Sequence, residues 1–391
     1  MKRLFELLIA TLALVACYSP DPFEAESTED TATQQSSKIG TLFHVNGSEQ
    51  ICNPSVSNDM ENYPASMLWL NFSGKLDVNA PDSIYTTKRV RQHDRLTVSD
   101  TAGNVNWYLM VDKDEGECQF QDPEWSTHGG FIVSLRGYDK SGKTSCDNLD
   151  FGIFAVRMAD KKKFWFYDKD IQEEATPHLW VDPSAVPDTG AADSTVKGFF
   201  GTDKVRLTYV SKDDEIVFVD FAKGGLSKAK KLKKPAGRES WKIDSPLISP
   251  DGNFVVYNML ENMTTWEAYI QELSGSSKAI KIEKTAGMMS APAQPHWFKF
   301  QDRLFVLWAE FPAGSQMLNK AELMETSVQD GAVGRTVMRE LRIAANAPSD
   351  LAFEWLDDMR EVAPVPMTGG RSPDGNFLAT GTNLAYLLKL P

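Results

Sequence analysis

The chain has 391 residues, of which 42% are hydrophobic and 24% are charged. This composition supports one large core or two ordinary ones and excludes a disordered protein. The formal net charge of -13 argues against a nucleic-acid-binding protein, because neutralising phosphate groups requires a surplus of lysine and arginine on some face.

The first segment is a signal for export. Residues 1–17, "MKRLFELLIATLALVAC", place Lys2 and Arg3 before an apolar run that is too short to span a bilayer. The last four of these residues, "LVAC", resemble the lipobox of bacterial lipoproteins. This resemblance implies that residues 1–16 are removed and that acyl chains such as palmitate are attached to Cys17. The alternative is an ordinary secretory signal in which Cys17 is incidental.

The segment after the signal predicts a tether. Residues 17–38 are rich in serine, threonine, glutamate and aspartate, which is typical of a flexible acidic linker. The folded domain is therefore expected at 39–391. No other window approaches the roughly eighteen consecutive apolar residues of a spanning helix, so the lipid is the expected membrane attachment. Tyr18 replaces the aspartate typical of lipoproteins retained in the inner membrane. By resemblance to sorted lipoproteins, the absence of this aspartate implies an outer-membrane protein that faces the periplasm or the cell surface.

The cysteines beyond the signal are Cys52, Cys118 and Cys146. In an oxidising compartment, three cysteines permit one disulfide and one free thiol. We expect the bridge between Cys118 and Cys146, and three unpaired buried cysteines are the alternative. No pair of cysteines has CxxC spacing, so the sequence predicts no zinc site and no metal.

The chain contains a repeat of about sixty residues. The hexapeptide "SPDGNF" occurs at 249–254 and again at 372–377, with the serines 123 positions apart. A degenerate copy, "DPEWSTHGGFIVSL" at 122–135, aligns Pro123 with Pro246. Two further turn-and-strand segments lie between these copies, so the interval of 123 residues covers two units.

The hexapeptide is expected to form a hairpin turn that enters a strand. Proline presets the turn, and the Asp-Gly pair accepts a positive φ. The run "FVVY" at the end of the first copy does not alternate with polar residues, which indicates a strand covered on both faces. The expected turn residues are Ser249, Pro250, Asp251 and Gly252 in the first copy and Ser372, Pro373, Asp374 and Gly375 in the second.

Four-stranded units that cannot bury their own faces predict a β-propeller, in which neighbouring blades cover one another around a channel. The segment "SPLISPDGNFVVYN", followed by "AYIQEL", resembles the WD-like repeat of TolB-like periplasmic propellers. This resemblance implies an all-β protein that grips a protein or peptide partner without catalysis. We predict six blades of four antiparallel strands, with five or seven as alternatives. The expected blades lie at about 60–115, 119–168, 176–235, 241–285, 290–362 and 364–391.

The last unit has no sequence left for an outermost strand. Residues 38–47, "KIGTLFHVNG", are expected to supply it. Such pairing removes a free sheet edge and joins the two ends of the domain.

The fifth unit contains an insertion that predicts two helices. "SQMLNKAELMETSV" at 315–328 and "SDLAFEWLDDMREV" at 349–362 are rich in helix formers, and the second begins with capping residues before apolar residues at helical spacing. This short helical insertion is interpreted either as a partner-binding appendage or as a lid over the edge of the last blade.

Candidate binding residues follow a proline in three units. Glu124, His178 and His296 each come directly after proline, and we expect them to line the channel mouth. One hypothesis is a metal or an anionic ligand held by these side chains, and the alternative is an ordinary polar lining. Trp125 and Trp297 are candidate stacking surfaces for a sugar, so carbohydrate binding or cleavage at the channel mouth is the alternative function.

The sequence contains no GxSxG, HExxH or P-loop motif. We therefore expect no catalytic residue, no cofactor and no enzyme. The expected partners are an envelope protein or peptide and, through the lipid, the membrane. The run "KAKKLKK" at 228–234 is expected to turn lysines toward solvent on an outer strand of the third blade, and a dock for anionic lipid or glycan is the alternative.

Overall fold

The structure is a computed structural model that describes residues 35–37, 40–45, 51–71, 93–140, 146, 148–190, 194–222, 225–262, 265–274, 278–284, 292–310, 334–343, 353–380 and 386–391. Within these ranges the chain consists largely of β-strands, as predicted. The signal segment, Cys17 and the helix predicted at 315–328 lie outside the described residues. Among the described residues, no helix is both long and apolar enough to cross a bilayer.

The strands follow one another along the described chain. Two precede the first repeat unit: β1 (Gln35–Ser37) and β2 (Gly40–His44). The first two units contain β3 (Ile51–Val56), β4 (Ser66–Asn71), β5 (Arg95–Asp100), β6 (Val105–Met110), β7 (Glu117–Trp125), β8 (Phe131–Asp139), β9 (Leu149–Arg157) and β10 (Lys163–Ile171). The third and fourth units contain β11 (His178–Val181), β12 (Val205–Val210), β13 (Ile216–Ala222), β14 (Gly225–Leu226), β15 (Lys230–Lys231), β16 (Lys242–Ile248), β17 (Phe254–Asn262), β18 (Thr265–Glu272) and β19 (Ile280–Lys281). The last two units contain β20 (Pro292–Phe300), β21 (Arg303–Glu310), β22 (Arg335–Ile343), β23 (Phe353–Trp355), β24 (Arg360–Ala363), β25 (Met367–Arg371), β26 (Phe377–Thr380) and β27 (Tyr386–Lys389).

In the described ranges these strands form six antiparallel sheets, here called blades 1 to 6. Blades 1, 2 and 4 are β3–β6, β7–β10 and β16–β19, blade 3 is β11–β15, blade 5 is β20–β24, and blade 6 combines β25–β27 with β2 and β1. The first strand of each blade contacts the first strand of the next, and β25 contacts β3. The fold is therefore a closed six-bladed β-propeller with the first strands around the channel, and the predicted number of blades is confirmed.

Neighbouring blades share apolar clusters throughout the described ring. In β17, Val255 and Tyr257 pack toward blade 3, whereas Phe254 and Val256 pack toward blade 5. Successive side chains of a strand point to opposite faces, so both faces of blade 4 are covered. Because both faces are covered, the strand has apolar residues at successive positions in "FVVY" and no alternation with polar residues.

Both copies of "SPDGNF" form the same turn between the first and second strands of a blade. The Ser249 amide donates to the Phe254 carbonyl at 2.8 Å, and the Phe254 amide donates to Ser249 Oγ at 2.9 Å. In the second copy the same two bonds join Ser372 and Phe377, each at 2.9 Å. Gly252 has a φ of 77°, a conformation that favours glycine. The hexapeptide therefore builds its turn from its own groups.

Blade 1 begins at Ile51, earlier than predicted. Its first two strands, β3 and β4, are joined by a turn between Val56 and Ser66. The turn starts at Ser57, whose amide donates to the Ser66 carbonyl at 2.9 Å. It lacks the Pro-Asp-Gly sequence, so its position had no recognisable signal.

The helix predicted at 349–362 is wrong. The described part of this segment forms β23 and β24, which both pair with β22 at the outer edge of blade 5. Phe353 is buried against Phe254 of blade 4, with ring centroids 6.2 Å apart. Strand pairing and packing thus override the helical spacing, and the segment belongs to the blade.

The one helix in the described ranges, α1 (Val196–Phe200), lies in the first turn of blade 3. Thr195 caps it by accepting a hydrogen bond from the Gly198 amide at 3.0 Å. Phe199 and Phe200 are buried in the cluster between blades 2 and 3. The helix is too short to leave a periodic signal in the sequence.

The amino-terminal strand closes the ring. β2 pairs with β27, from Thr41 opposite Lys389 to His44 opposite Tyr386, and supplies the fourth strand of blade 6. Leu42 is buried in the cluster between blades 5 and 6. β1 adds a fifth strand beyond β2, so the last residues of the predicted tether take part in the sheet.

A disulfide joins Cys118 of β7 to Cys146, with Cα atoms 5.7 Å apart. This is the pairing expected from the sequence. Cys52 is buried in β3 and is not a free thiol either. The expectation of one free thiol therefore does not hold for the cysteines that the structure describes.

Replacing Leu42 with alanine tests the closure of the ring. Because Leu42 is fully buried, Leu42→Ala is expected to lower the free energy of unfolding by about 2–5 kcal/mol. Thr41→Ala is the matched control, since Thr41 lies on the same strand and is only half-buried, and it should cost less than about 1 kcal/mol. Denaturation in urea measures both values. Equal costs would show that β2 is not packed into the blade.

Candidate functional site

Five blades carry the same kink in or next to their first strand. Asn53, Asp122, Thr176, Ser245 and Gln294 have φ values between 39° and 50°, and each precedes a proline. In blades 1, 2, 4 and 5 the pairing with the second strand shifts register at this point, which marks a β-bulge. These five residues are called the bulge ring.

The bulge ring is held by hydrogen bonds between blades. Asn53 Nδ2 donates to Asp122 Oδ1 at 2.9 Å, and the Thr176 amide donates to Asp122 Oδ2 at 3.2 Å. The Ser245 amide donates to Thr176 Oγ1 at 3.3 Å. Asp122 therefore links blades 1, 2 and 3, and Thr176 links blades 3 and 4.

The residues after these prolines form a second layer, called the post-proline ring: Ser55, Glu124, His178, Leu247 and His296. The structure thus places the three predicted candidates, Glu124, His178 and His296, at equivalent positions on blades 2, 3 and 5. Sequence reasoning missed Ser55 and Leu247. The same signal was available for them, because a proline precedes both.

Glu124 is engaged by blade 1. Ser55 Oγ donates to Glu124 Oε1 and accepts from the Trp125 amide at 3.3 Å. Burial raises the pKa of Glu124 to about 8. The carboxyl group is therefore largely protonated at neutral pH and brings little negative charge to the channel.

His178 links three blades. Its Nδ1 accepts a hydrogen bond from the Ile248 amide of blade 4 at 2.9 Å, and the side chain also hydrogen-bonds with the backbone of Trp125 in blade 2. Burial, and to a smaller extent the nearby His296, lower the pKa of His178 to about 3. The imidazole is therefore neutral and is occupied by contacts between blades.

His296 packs against blade 6. Its Nδ1 lies 2.9 Å from the Gln294 carbonyl oxygen. A Cβ at Gly370 would lie 3.1 Å from His296 Cδ2, and Gly370 has a φ of 84°. Both space and conformation therefore favour glycine at this position. Burial lowers the pKa of His296 to about 4, so this imidazole is also neutral.

Trp125 and Trp297 lie between blades. Trp125 is 1% exposed and packs in the cluster between blades 1 and 2. Trp297 packs between blades 4 and 5, and its Nε1 donates to the Leu247 carbonyl at 2.9 Å. Trp125 therefore offers no stacking face to a sugar, and Trp297 is committed to the contact between its two blades.

Two carboxyl groups in or near the bulge ring have raised pKa values. Burial and the nearby Asp244 raise the pKa of Asp122 to about 7. Burial also raises the pKa of Asp244, with a contribution from Glu174. Among the described residues, no group of three or more His, Cys, Asp or Glu side chains is placed to hold a metal ion.

Exposed apolar side chains are most numerous on blade 5. In the described part of the chain, four large hydrophobic side chains are exposed, and three of them are Phe300, Ile343 and Leu356, at 37%, 40% and 45%. The pairing of β20, β21 and β22 brings Phe300 and Ile343 to the same end of the sheet. Phe300 shares its face with Phe298, toward blade 6, whereas Ile343 shares its face with Leu341, toward blade 4. The Leu356 amide donates to the Glu340 carbonyl of β22 at 3.0 Å. These three residues are called the blade-5 patch, and the fourth exposed residue is Val186 of blade 3.

The lysine run lies at an outer edge of blade 3, where β15 pairs with β13 and is exposed. Lys231 pairs with Asp213 at 3.3 Å and also with Glu215, and Lys234 pairs with Asp214 at 2.9 Å. Two of the five lysines of the run are therefore paired with carboxylates of the same blade. This compensation weakens the alternative of a dock for anionic lipid or glycan.

No protein-family model and no curated protein matches this chain. Solved structures are similar to it at low identity. A putative TolB from Agrobacterium tumefaciens is 14% identical, with 90% of this chain and 97% of that chain covered and a TM-score of 0.45. TolB from Acinetobacter baumannii is 13% identical, with 67% and 52% covered and a TM-score of 0.34. An oligogalacturonate lyase in complex with manganese is 12% identical, with 94% and 98% covered and a TM-score of 0.40. These distant similarities carry no argument about function, and the propeller fold follows from the strand order.

The raised pKa of Glu124 predicts a loss of stability as the pH rises. The pKa is about 8 in the folded protein against an ordinary value of 4.5, so the unfolded chain releases this proton first and unfolding becomes easier between these two pH values. Glu124→Gln removes this contribution. As the pH rises through this interval, the free energy of unfolding of the variant should increase relative to that of the wild type by on the order of 2–4 kcal/mol. Urea denaturation at several pH values measures this difference.

Glu61→Gln is the control for this measurement, because Glu61 is exposed in the first turn of blade 1. It should follow the pH dependence of the wild type. If Glu124→Gln also follows the wild type in parallel, the pKa of Glu124 is not raised.

Proposed function

We propose that this chain is an exported, membrane-anchored and non-enzymatic propeller that binds a protein partner through the blade-5 patch. The concentration of exposed hydrophobic side chains on blade 5 supports this proposal most directly. Phe300, Ile343 and Leu356 lie on one sheet, whereas the described remainder of the chain exposes Val186 as its only other large hydrophobic side chain. Exposed large apolar side chains concentrated in one part of a protein are typical of surfaces that bind other proteins.

The surroundings of the patch fit a protein interface. Arg342 forms an ion pair with Glu354, and the Arg339 guanidinium lies over the ring of Trp355, 4.7 Å from its centroid. Arginine and aromatic residues are enriched where proteins bind each other, and charged residues form the rim of such surfaces. Exposed apolar side chains beside arginine and aromatic residues on one blade therefore favour a protein or peptide as the partner.

The channel interior is a weaker candidate for recognition. Ser55 and His178 make hydrogen bonds between blades, so a ligand at the post-proline ring would have to break bonds that hold the ring together. Carbohydrate binding or cleavage at the channel mouth would need an indole with a free face, and Trp125 is buried. A rigid scaffold that leaves recognition to its loops and edges suits the proposed role.

The anchor is proposed from the sequence. Cys17 lies outside the described residues, and the resemblance of "LVAC" to a lipobox supports its acylation. Acylation of the Cys17 sulfur requires that this sulfur is not the partner of Cys52. The chain enters the propeller at β1, on the outer edge of blade 6. Acyl chains on Cys17 would therefore connect this edge of blade 6 to a membrane through the predicted tether, in the periplasm or at the cell surface.

Phe300→Glu and Leu356→Glu are expected to release the partner, because each substitution places a charge in a surface that binding would bury. The tagged full chain is purified from detergent-solubilised native membranes, and the bound proteins are quantified by mass spectrometry. The partner should bind at least about 2 kcal/mol more weakly to either variant, which is about thirtyfold. Val186→Glu is the matched control, since Val186 is 76% exposed but lies on blade 3.

A protein that the wild type and Val186→Glu retain, and that both patch variants lose, would support the proposal. Equal retention by all four proteins would contradict the assignment to blade 5. Retention of a glycan without any protein would favour the carbohydrate alternative instead.

The anchor is tested by mass spectrometry of the mature protein. The expected amino-terminal peptide begins at Cys17 and carries acyl chains on its sulfur and amino group, and Cys17→Ser is expected to move the protein from the membrane to the soluble fraction. A mature terminus at another residue, or a Cys17 sulfur engaged in a disulfide, would contradict lipidation.

A further inference from the structure

A pocket lies between blades 3 and 4, away from both the post-proline ring and the blade-5 patch. It encloses about 230 Å³. Blade 3 contributes Trp180, Lys204 and Arg206, and the first "SPDGNF" turn contributes Asp251 and Asn253. The second copy of the same turn lies on blade 6, whereas the pocket is lined by blades 3 and 4.

One wall of the pocket is an aromatic ring in a fixed position. Trp180 Nε1 donates to the Pro250 carbonyl at 3.0 Å. A Cβ at Gly252 would lie 2.7 Å from Trp180 Cε2, so the indole packs directly on the turn at a site where only glycine leaves room. Trp180 is nevertheless only half-buried and lines the pocket. It therefore offers a pre-organised apolar surface to a ligand.

The cations of the pocket already have carboxylate partners. Arg206 pairs with Asp220 and donates to the Gly252 carbonyl. Lys204 pairs with Asp182 at 3.2 Å. The residues that line the pocket include two cations, Lys204 and Arg206, and two anions, Asp220 and Asp251, so the lining has no net charge. The pocket is therefore better suited to a neutral ligand.

Hydrogen-bonding groups stand at the rim beside the aromatic wall. Asn253 Nδ2 donates to Asp251 Oδ2 at 2.8 Å, and both side chains are exposed. The Lys204 side chain is 70% exposed, so its ammonium group can still donate to a ligand. A carboxylate, an amide and an ammonium group therefore surround the indole ring of Trp180. Together they can bind a ligand with adjacent hydroxyl groups, because hydroxyl groups both donate and accept hydrogen bonds.

We propose that this pocket binds one sugar residue of a neutral glycan. The indole of Trp180 contacts the apolar face of the sugar ring, and Asp251, Asn253 and Lys204 hydrogen-bond its hydroxyl groups. This binding is independent of the blade-5 patch, so each of the two surfaces can fail its test without the other. It also differs from a sugar site at the channel mouth, since none of these residues belongs to the post-proline ring.

The test uses the full mature chain on an array of neutral and charged saccharides, followed by calorimetric titration with the best neutral ligand. Asn253→Ala is compared with Asn376→Ala. Asn376 makes the same hydrogen bonds with Asp374 in the second copy of the turn, so both variants lose equivalent turn contacts. Asn253→Ala should bind the sugar about tenfold more weakly, and Asn376→Ala should bind it like the wild type. Unfolding curves of both variants confirm that they fold.

Three results would overturn the proposal. The first is that no neutral saccharide binds more tightly than about 1 mM. The second is that Asn253→Ala and Asn376→Ala bind equally well. The third is that only charged saccharides bind, which would contradict the inference drawn from the ion pairs of Lys204 and Arg206.

Discussion

Each blade of this propeller has apolar side chains on both faces and must bury both faces against its neighbours. In blade 4, Val255 and Tyr257 face blade 3, and Phe254 and Val256 face blade 5. A blade that stood at the end of an open stack would leave one of these faces in water, at a large cost in burial free energy. The stack therefore closes on itself, and the pairing of β2 with β27 completes its last blade. Loops and outer edges remain for recognition.

The turns and the number of blades could be predicted because their causes are local. In "SPDGNF", Ser249, Asp251 and Gly252 form the turn with hydrogen bonds inside the hexapeptide, so identical letters mark identical structure. The outer edge of blade 5 could not be predicted in this way. Trp355 lies in a segment with helical spacing, but it pairs with Leu341 of β22, and a long-range partner decides between strand and helix.

The candidate site was partly predictable. The shared proline indicated that Glu124, His178 and His296 occupy equivalent positions, whereas their roles depend on contacts far along the chain. His178 accepts from the amide of Ile248, which is 70 residues away, and Ser55 donates to Glu124, which is 69 residues away. The exposure of the blade-5 patch and the pocket beside Trp180 also depend on which blades become neighbours, and no local sequence pattern reports that.

Hydrogen-deuterium exchange of the intact protein tests the closed ring most directly. If β2 completes blade 6, its amides and those of β27 are protected to the same extent and lose protection in the same transition as denaturant is added, because paired strands in one blade open as one unit. The opposite result is rapid exchange throughout β2 while β26 and β27 stay protected. That result would show that the ring is not closed by the amino-terminal strand.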